Sequence, residues 1–173
     1  MKYIALLRGI NVSGKNKILM KDLRALLVKT KLSAVNTYIQ SGNVCFESNE
    51  TDTIKLALDI KNSIKEEFNL DVPVLVKTFE NINYIINKNP FITDTIDVKK
   101  LYVAFLWKKP RDTSKLDTFD FGKDSYIICD DVIYLKYDIG AGRSKLSVRI
   151  IEKKLDLIAS ARNWRTTNKL LTL

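Results

Sequence analysis

Two continuous apolar runs, Tyr3 to Leu7 and Leu101 to Trp107, each open the same succession of patterns along the chain. An unbroken apolar strand suits burial on both faces, so each run asks for helices packed around it. After the first run, Leu23, Leu26 and Leu27 fall at i, i+3, i+4 and mark one face of a helix. Val35 to Gln40 and Asn43 to Glu47 read as short strands joined by Ser41-Gly42, a link of tight-hairpin length. A second helix spans Asp52 to Phe68, with Ala57, Ile60, Ile64 and Phe68 as its apolar stripe. Pro73 to Lys77 then reads as a strand whose proline favours an edge. The order βαββαβ is that of the ferredoxin-like split βαβ unit.

The second run restarts the pattern. A weak helix near Thr113 to Leu116 follows it, and Ser125 to Cys129 pairs with Val132 to Tyr137 across Asp130-Asp131. A helix beginning near Ser144 carries Leu146, Ile150, Ile151 and Leu155, and a last helix carries Trp164, Asn168 and Leu171. The expected fold is α+β, two ferredoxin-like lobes, the second ending in a helix instead of a fourth strand. Residues 1–78 form the first lobe, the asparagine-rich 79–99 a connector, and 100–173 the second lobe with C-terminal helices. Right-handed crossovers make the first and second strands of such a unit parallel, with the third antiparallel between them. The loop after strand one and the hairpin after strand two therefore share one edge of the sheet.

That first loop, Arg8-Gly9-Ile10-Asn11-Val12-Ser13-Gly14-Lys15-Asn16-Lys17, combines glycines, asparagines and four cations. Glycine permits positive φ, so that backbone N–H groups can converge on an anion beside cationic side chains. Arg8, Asn11, Lys15 and Asn16, with Gln40, Ser41 and Asn43 of the hairpin, are the candidate ligand-binding residues of the first lobe. Gly9, Gly14 and Lys15 also fit G-x-x-x-x-G-K, but Asn16 stands where a P-loop needs Ser or Thr to hold Mg²⁺. The strand order is wrong for that class as well. In the second lobe, Gly140-Ala141-Gly142-Arg143-Ser144-Lys145 reads as a glycine loop running into a helix start, with Ser144 as the N-cap and Arg143 and Lys145 beside an anion. Arg162 and Asn163 complete the set as ligands or as a lock on the last helix, and Trp164 reads as core.

Charge and composition bound the partners. The net charge is +9, concentrated at the two ends: residues 1–31 carry eight cations and one anion, and residues 140–173 eight and two. Such asymmetry favours an anionic partner, against which scattered surface lysine is the bland alternative. The chain has no histidine, which removes Ser-His and Cys-His nucleophile pairs and the commonest metal ligand. Cys45 and Cys129 sit alone in strand-like runs, so free thiols are expected, without disulfide or metal. No apolar run approaches the roughly 20 residues of a membrane span, and Tyr3 to Leu7 is too short for a signal-peptide core. A cytoplasmic protein with no cofactor and no membrane partner is expected.

Ala5-Leu6-Leu7-Arg8-Gly9-Ile10-Asn11-Val12, Gly14-Lys15-Asn16-Lys17-Ile18, Thr37-Tyr38-Ile39-Gln40-Ser41-Gly42-Asn43-Val44, Gly142-Arg143-Ser144-Lys145-Leu146 and Ala161-Arg162-Asn163-Trp164 together resemble the bacterial "domain of unknown function 1697" family over almost the whole chain. The resemblance implies two ferredoxin-like lobes and no particular activity. Ser13 replaces a usual glycine of that family, Leu19 a usual proline, and Asp156 a frequent glycine.

The leading functional expectation is a binding protein for a small anionic or phosphorylated ligand. Arg8, Lys15, Arg143, Lys145 and Arg162 would supply charge, and Asn11, Gln40, Ser41, Asn43 and Asn163 orientation. The alternatives are an enzyme of phosphoryl- or nucleotidyl-transfer type, with Asp130, Asp131 and Asp138 as the nearby carboxylates, and a weak, non-specific nucleic-acid-binding module. RNA-recognition domains share the fold but stack bases on paired aromatics that Gly42-Asn43-Val44-Cys45-Phe46 lacks. A protein-interaction scaffold would need an exposed apolar patch that the periodicity does not reveal. Oligomeric state is not legible.

Overall fold

A computed structural model describes residues 1–12 and 14–173, so the family's usual glycine position at Ser13 lies outside the described residues. The first half runs β1 (Lys2–Leu7), α1 (Met20–Lys29), β2 (Ser33–Tyr38), β3 (Asn43–Glu47), α2 (Thr53–Phe68), β4 (Val74–Thr78). Helix α3 (Phe79–Asn87) and a 3-10 turn at Val98–Lys100 lead into the second half. There β5 (Leu101–Leu106), α4 (Ser114–Asp117), β6 (Ser125–Cys129), β7 (Val132–Lys136), α5 (Val148–Leu155) and β8 (Ala159–Asn163) repeat the order, and α6 (Trp164–Lys169) closes the chain with a final 3-10 turn. The sheets are β2-β3-β1-β4 and β6-β7-β5-β8, antiparallel throughout and identical in topology. The protein is thus an α+β molecule of two ferredoxin-like lobes.

One clause of the expected fold is corrected: β8 is a fourth strand in the second lobe, and the terminal helix comes after it. Ala159-Ser160-Ala161 has little intrinsic strand preference. Its conformation is imposed by the ladder to β5, where Ala161 lies opposite Ala104 and Ser160 opposite Phe105. The compact units are Met1–Tyr84 together with Leu170–Leu173, and Ile85–Lys169. The boundary therefore falls inside α3, and the last four residues return to the first lobe, where Lys2 Nζ donates to the Leu173 carbonyl at 3.2 Å.

Each lobe has its own core. In the first, Tyr3, Ala5 and Leu7 of β1 pack with Leu23 and Leu27 of α1 and Ile60 and Ile64 of α2. In the second, Ala104 and Leu106 pack with Ile133, Leu135, Ile151 and Leu155. The alternate residues Ile4, Leu6, Val103 and Phe105 are buried too, which is why both runs read as unbroken apolar strands.

Helix ends follow local chemistry. The Asp52 carboxylate accepts from the N–H groups of Ile54 and Lys55 and starts α2. Asp156 ends α5 at φ 51, a left-handed position where the frequent glycine of the family carries no strain. Leu19 precedes α1 at φ −71, the angle to which proline is locked. Cys45 is buried and Cys129 half-buried, both free, and burial pushes the Cys45 thiol pKa up.

Candidate functional site

The antiparallel ladders bring the Arg8–Lys17 loop to the β2–β3 hairpin. Leu7 N–H donates to the Gly42 carbonyl at 2.8 Å, and the Asn11 Nδ2 group donates to the carbonyls of Gln40 and Ile18, both at 2.9 Å. Asn11 Oδ1 takes the Ile18 N–H at 3.0 Å, and Asn16 Nδ2 reaches the Gly9 carbonyl at 3.1 Å. The loop also closes on itself through Asn11 N–H to the Asn16 carbonyl and Lys15 N–H to the Val12 carbonyl. Asn43, fully buried, donates to the Tyr38 carbonyl and to Ser41 Oγ. So Asn11 and Asn43, expected to orient a ligand, and Asn16, expected to bind one, use their amides to build the loop and hairpin. Among the described residues of this loop, the Asn11 and Lys15 N–H groups have backbone acceptors and are not directed at a ligand. Lys15, Lys17 and Gln40 are exposed and Arg8 is half-buried.

Gly42 fits one need. It lies at φ 76, and a Cβ there would stand 2.6 Å from Leu7 Cβ and 3.1 Å from Ile10 Cδ1, so the hairpin can approach β1 only without a side chain. Ile39, the first turn residue after β2, also has positive φ, 49°, a conformation that β-branched residues rarely tolerate.

In the second lobe the expected anion trap is differently built. Ser144 is not an N-cap: α5 starts at Val148, and Ser147 Oγ accepts the Ile150 N–H. Ser144 instead makes a short hydrogen bond from its Oγ to Asp124 and accepts the Leu146 N–H. The other Asp124 oxygen accepts the Asp138 N–H at 2.7 Å, so this carboxylate gathers the loop. Arg143, Lys145 and Lys123 line a hollow of about 260 Å³ with Asp124 and Asp138. Arg162 is buried in β8, where Nη1 donates to Ser160 Oγ and the Ala161 carbonyl, and burial lowers its pKa to about 10. Asn163 Oδ1 accepts the Thr166 N–H and caps α6, while Trp164 is buried. Asn163 thus holds the start of the last helix, whereas these Arg162 bonds stay within β8.

The residues also separate by sheet edge. The β7–α5 loop bearing Arg143 and Lys145 leaves the C-terminal end of β7, beside the N-terminal end of β5, where Leu101 faces Lys136. Asn163 ends β8 on that same edge, opposite Tyr102.

At the other edge of the second sheet lies a cation cluster with no glycine loop beside it. Lys108, Lys109 and Arg111 follow β5, and with Lys115 of α4 and Lys154 of α5 they line a cavity of about 320 Å³. Two carboxylates share it. Asp112 accepts the Ser114 N–H at the start of α4, which holds its pKa below the usual range, and Asp156 is the left-handed residue after α5. Lys109 pairs with Asp130 at 2.8 Å outside this lining, and the Lys154 ammonium lies 5.1 Å from the centre of the Phe119 ring. Among the described residues no carboxylate lies within ion-pair distance of Lys108, Arg111 or Lys115.

The two lobes place these loops equivalently. Leu106 N–H donates to the Asp131 carbonyl as Leu7 does to Gly42, and Trp107 N–H donates to the Ile158 carbonyl as Arg8 does to Pro73. Thus the Lys108 loop, not the Gly140 loop, is the counterpart of the Arg8–Lys17 loop. The signal was in the sequence: Lys108-Lys109-Pro110-Arg111 follows its apolar strand as Arg8 follows the first.

Fold and loops together define a doubled ferredoxin-like protein with cationic loops after the first strand of each lobe. The chain belongs to the family described as protein of unknown function (DUF1697), whose profile matches residues 1–134. In fold it is similar to the conserved bacterial protein SP0830 of Streptococcus pneumoniae, with a TM-score of 0.75 and 19% identity over 99% of this chain and 97% of that one. No curated protein matches it. None of the helices among the described residues is long and apolar enough to cross a membrane.

Proposed function

We propose that this is a cytoplasmic binding protein for a small phosphate-bearing or otherwise anionic ligand. The observation that carries the reading is the cavity of the second lobe, where five cations meet two carboxylates, one of which is occupied at a helix start. Like charges held in one concavity repel, and an anion seated among them replaces that repulsion with attraction. Each charged hydrogen bond to such an anion is worth about 1.5–3 kcal/mol. Arg8 and Lys15 in the first lobe, and Arg143 and Lys145 in the smaller hollow, extend the same reading to further anion-facing loops.

The test is thermal denaturation with inorganic phosphate, pyrophosphate and sugar phosphates as probes. A ligand that binds only the folded state raises Tm by mass action. We expect pyrophosphate to raise Tm in the wild type and to lose that effect when Arg111→Ala and Lys115→Ala are combined. A shift that survives this pair but disappears in Lys15→Ala or Arg143→Ala would move the site to those loops. No shift with any probe would overturn the reading.

A further inference from the structure

We infer that the second-lobe cavity takes a nucleotide, with its phosphates on the cations and its base on an adjoining apolar floor; this rests on the anion-binding reading above. Beside the cation-lined cavity lies a second one of about 440 Å³, and the two share Lys108, Asp156 and Leu157 as walls. Besides those shared walls, the second is lined by Trp107, Ile158 and Glu152. Phosphate alone would need only the first cavity. Two adjoining cavities, one lined mainly by cations and the other carrying Trp107, Leu157 and Ile158 beside its charged walls, match a ligand of the same polarity: a flat heteroaromatic ring joined through a sugar to phosphates. Together the cavities lie within the size range of small-ligand pockets, about 300–1,000 Å³.

Trp107 directly follows β5, and its backbone N–H donates to the Ile158 carbonyl at 3.1 Å, which holds the two main-chain segments side by side. Trp107 is half-buried and Ile158 is 42% exposed, which leaves apolar surface for a ring to cover. Glu152 borders this cavity as well. Its Oε1 accepts the Ala159 N–H at 2.9 Å, so it positions β8 and places an anion at the base end, away from the phosphates. Cations thus gather at the Arg111 end, where Asp112 is engaged by the Ser114 N–H, while the Trp107 end has one cation, Lys108, beside Glu152 and Asp156. Stacking of a base on an aromatic ring tolerates different bases, so the inference is to the nucleotide class.

The experiment uses the intact protein, whose two tryptophans differ in surroundings, Trp164 being buried and Trp107 lining the cavity. ATP and sodium pyrophosphate are the probes, read by intrinsic fluorescence and by Tm. ATP should quench the Trp107 emission and bind more tightly than pyrophosphate, whereas pyrophosphate should raise Tm with little quenching. Trp107→Phe should remove the quench. Trp107→Leu should weaken ATP by roughly tenfold, about the loss of one stacked base, and leave pyrophosphate unchanged. Combined Arg111→Ala and Lys115→Ala should abolish binding of both. A 5′-phosphorylated trinucleotide distinguishes sources: binding like ATP would assign the site to the end of a nucleic-acid chain, and weaker binding to the free nucleotide. Equal affinity for ATP and pyrophosphate, with Trp107→Leu without effect, would overturn the nucleotide inference and leave the anion reading standing. Failure of both probes would overturn both.

Discussion

At the scale of single residues, positive φ separates a requirement from a strain. Gly42 meets both tests of necessity, a left-handed backbone and no room for Cβ against Leu7. Gly42→Ala combines about 1–2 kcal/mol of backbone cost with about 1–3 kcal/mol of overpacking, so the midpoint of denaturant unfolding should fall by an amount equivalent to at least 2 kcal/mol. Ile39 is the opposite case. It occupies φ 49 with half its surface exposed, so burial does little to hold the conformation in place. Ile39→Asn, a residue at ease in that region, should stabilise by about 1 kcal/mol in the same assay. A loss of stability in Ile39→Asn would mean that the apolar side chain contributes more than its backbone strain costs. Asn11 explains why ligand residues are hard to separate from scaffold by type alone. The same amide that can orient a phosphate here closes a loop by three hydrogen bonds to backbone groups.

At the scale of elements, the start of α2 sets a pH dependence. Glu50 accepts from the N–H groups of Thr51 and Asp52 and pairs with Lys55, and its pKa is lowered to about 2, first by the Lys55 hydrogen bond and then by the backbone. A carboxyl whose folded pKa is depressed contributes stability that is complete above its unfolded value, about 4.3, and disappears as pH falls toward the folded one. Stability should therefore decline between about pH 4.3 and pH 2, and Glu50→Gln should flatten that part of the Tm-against-pH curve. An unchanged slope in the variant would remove Glu50 from the acid response.

The elements that were legible in the sequence are those whose own periodicity or turn residues specify them. The apolar runs and Leu23 with Leu26 and Leu27 lie where the pattern put them, and the hairpin is present, but β2 ends at Tyr38, so its turn takes four residues, Ile39 to Gly42, instead of the expected Ser41-Gly42 pair. Strand β8 was not legible, because Ala159 and Ala161 are small and Arg162 is charged, and the strand exists through its pairing to β5. The start of α5 was misplaced for a similar reason. Ser144 has cap chemistry, but the carboxylate of Asp124, twenty residues away, takes its hydroxyl and leaves Ser147 to cap the helix. Ser147→Ala should accordingly cost about 1 kcal/mol. Of the cation cavity, Lys108-Lys109-Pro110-Arg111 was legible as a basic run after an apolar strand, but its meeting with Lys115 and Lys154 was not, because those come from two helices that no linear spacing joins to it.

At the scale of the whole molecule, charge is the property that no single loop contains. The net +9 comes from the two ends of the chain, while residues 32–139 are net acidic. Any long polyanion should therefore meet several cations at once, and it should do so without reading sequence, because the backbone phosphates are the common feature. Binding of this kind releases condensed counterions, and log K falls linearly with log salt at about −0.7 to −0.9 per phosphate neutralised. With about four phosphates engaged, raising salt from about 50 to 200 mM should weaken binding by roughly 50- to 150-fold. Fluorescence anisotropy with two labelled single strands of different sequence and one duplex measures this directly. We propose weak binding to all three at low salt, with the same steep slope. Binding that is absent at low salt, insensitive to salt, or strong for one sequence alone would count against charge as its source.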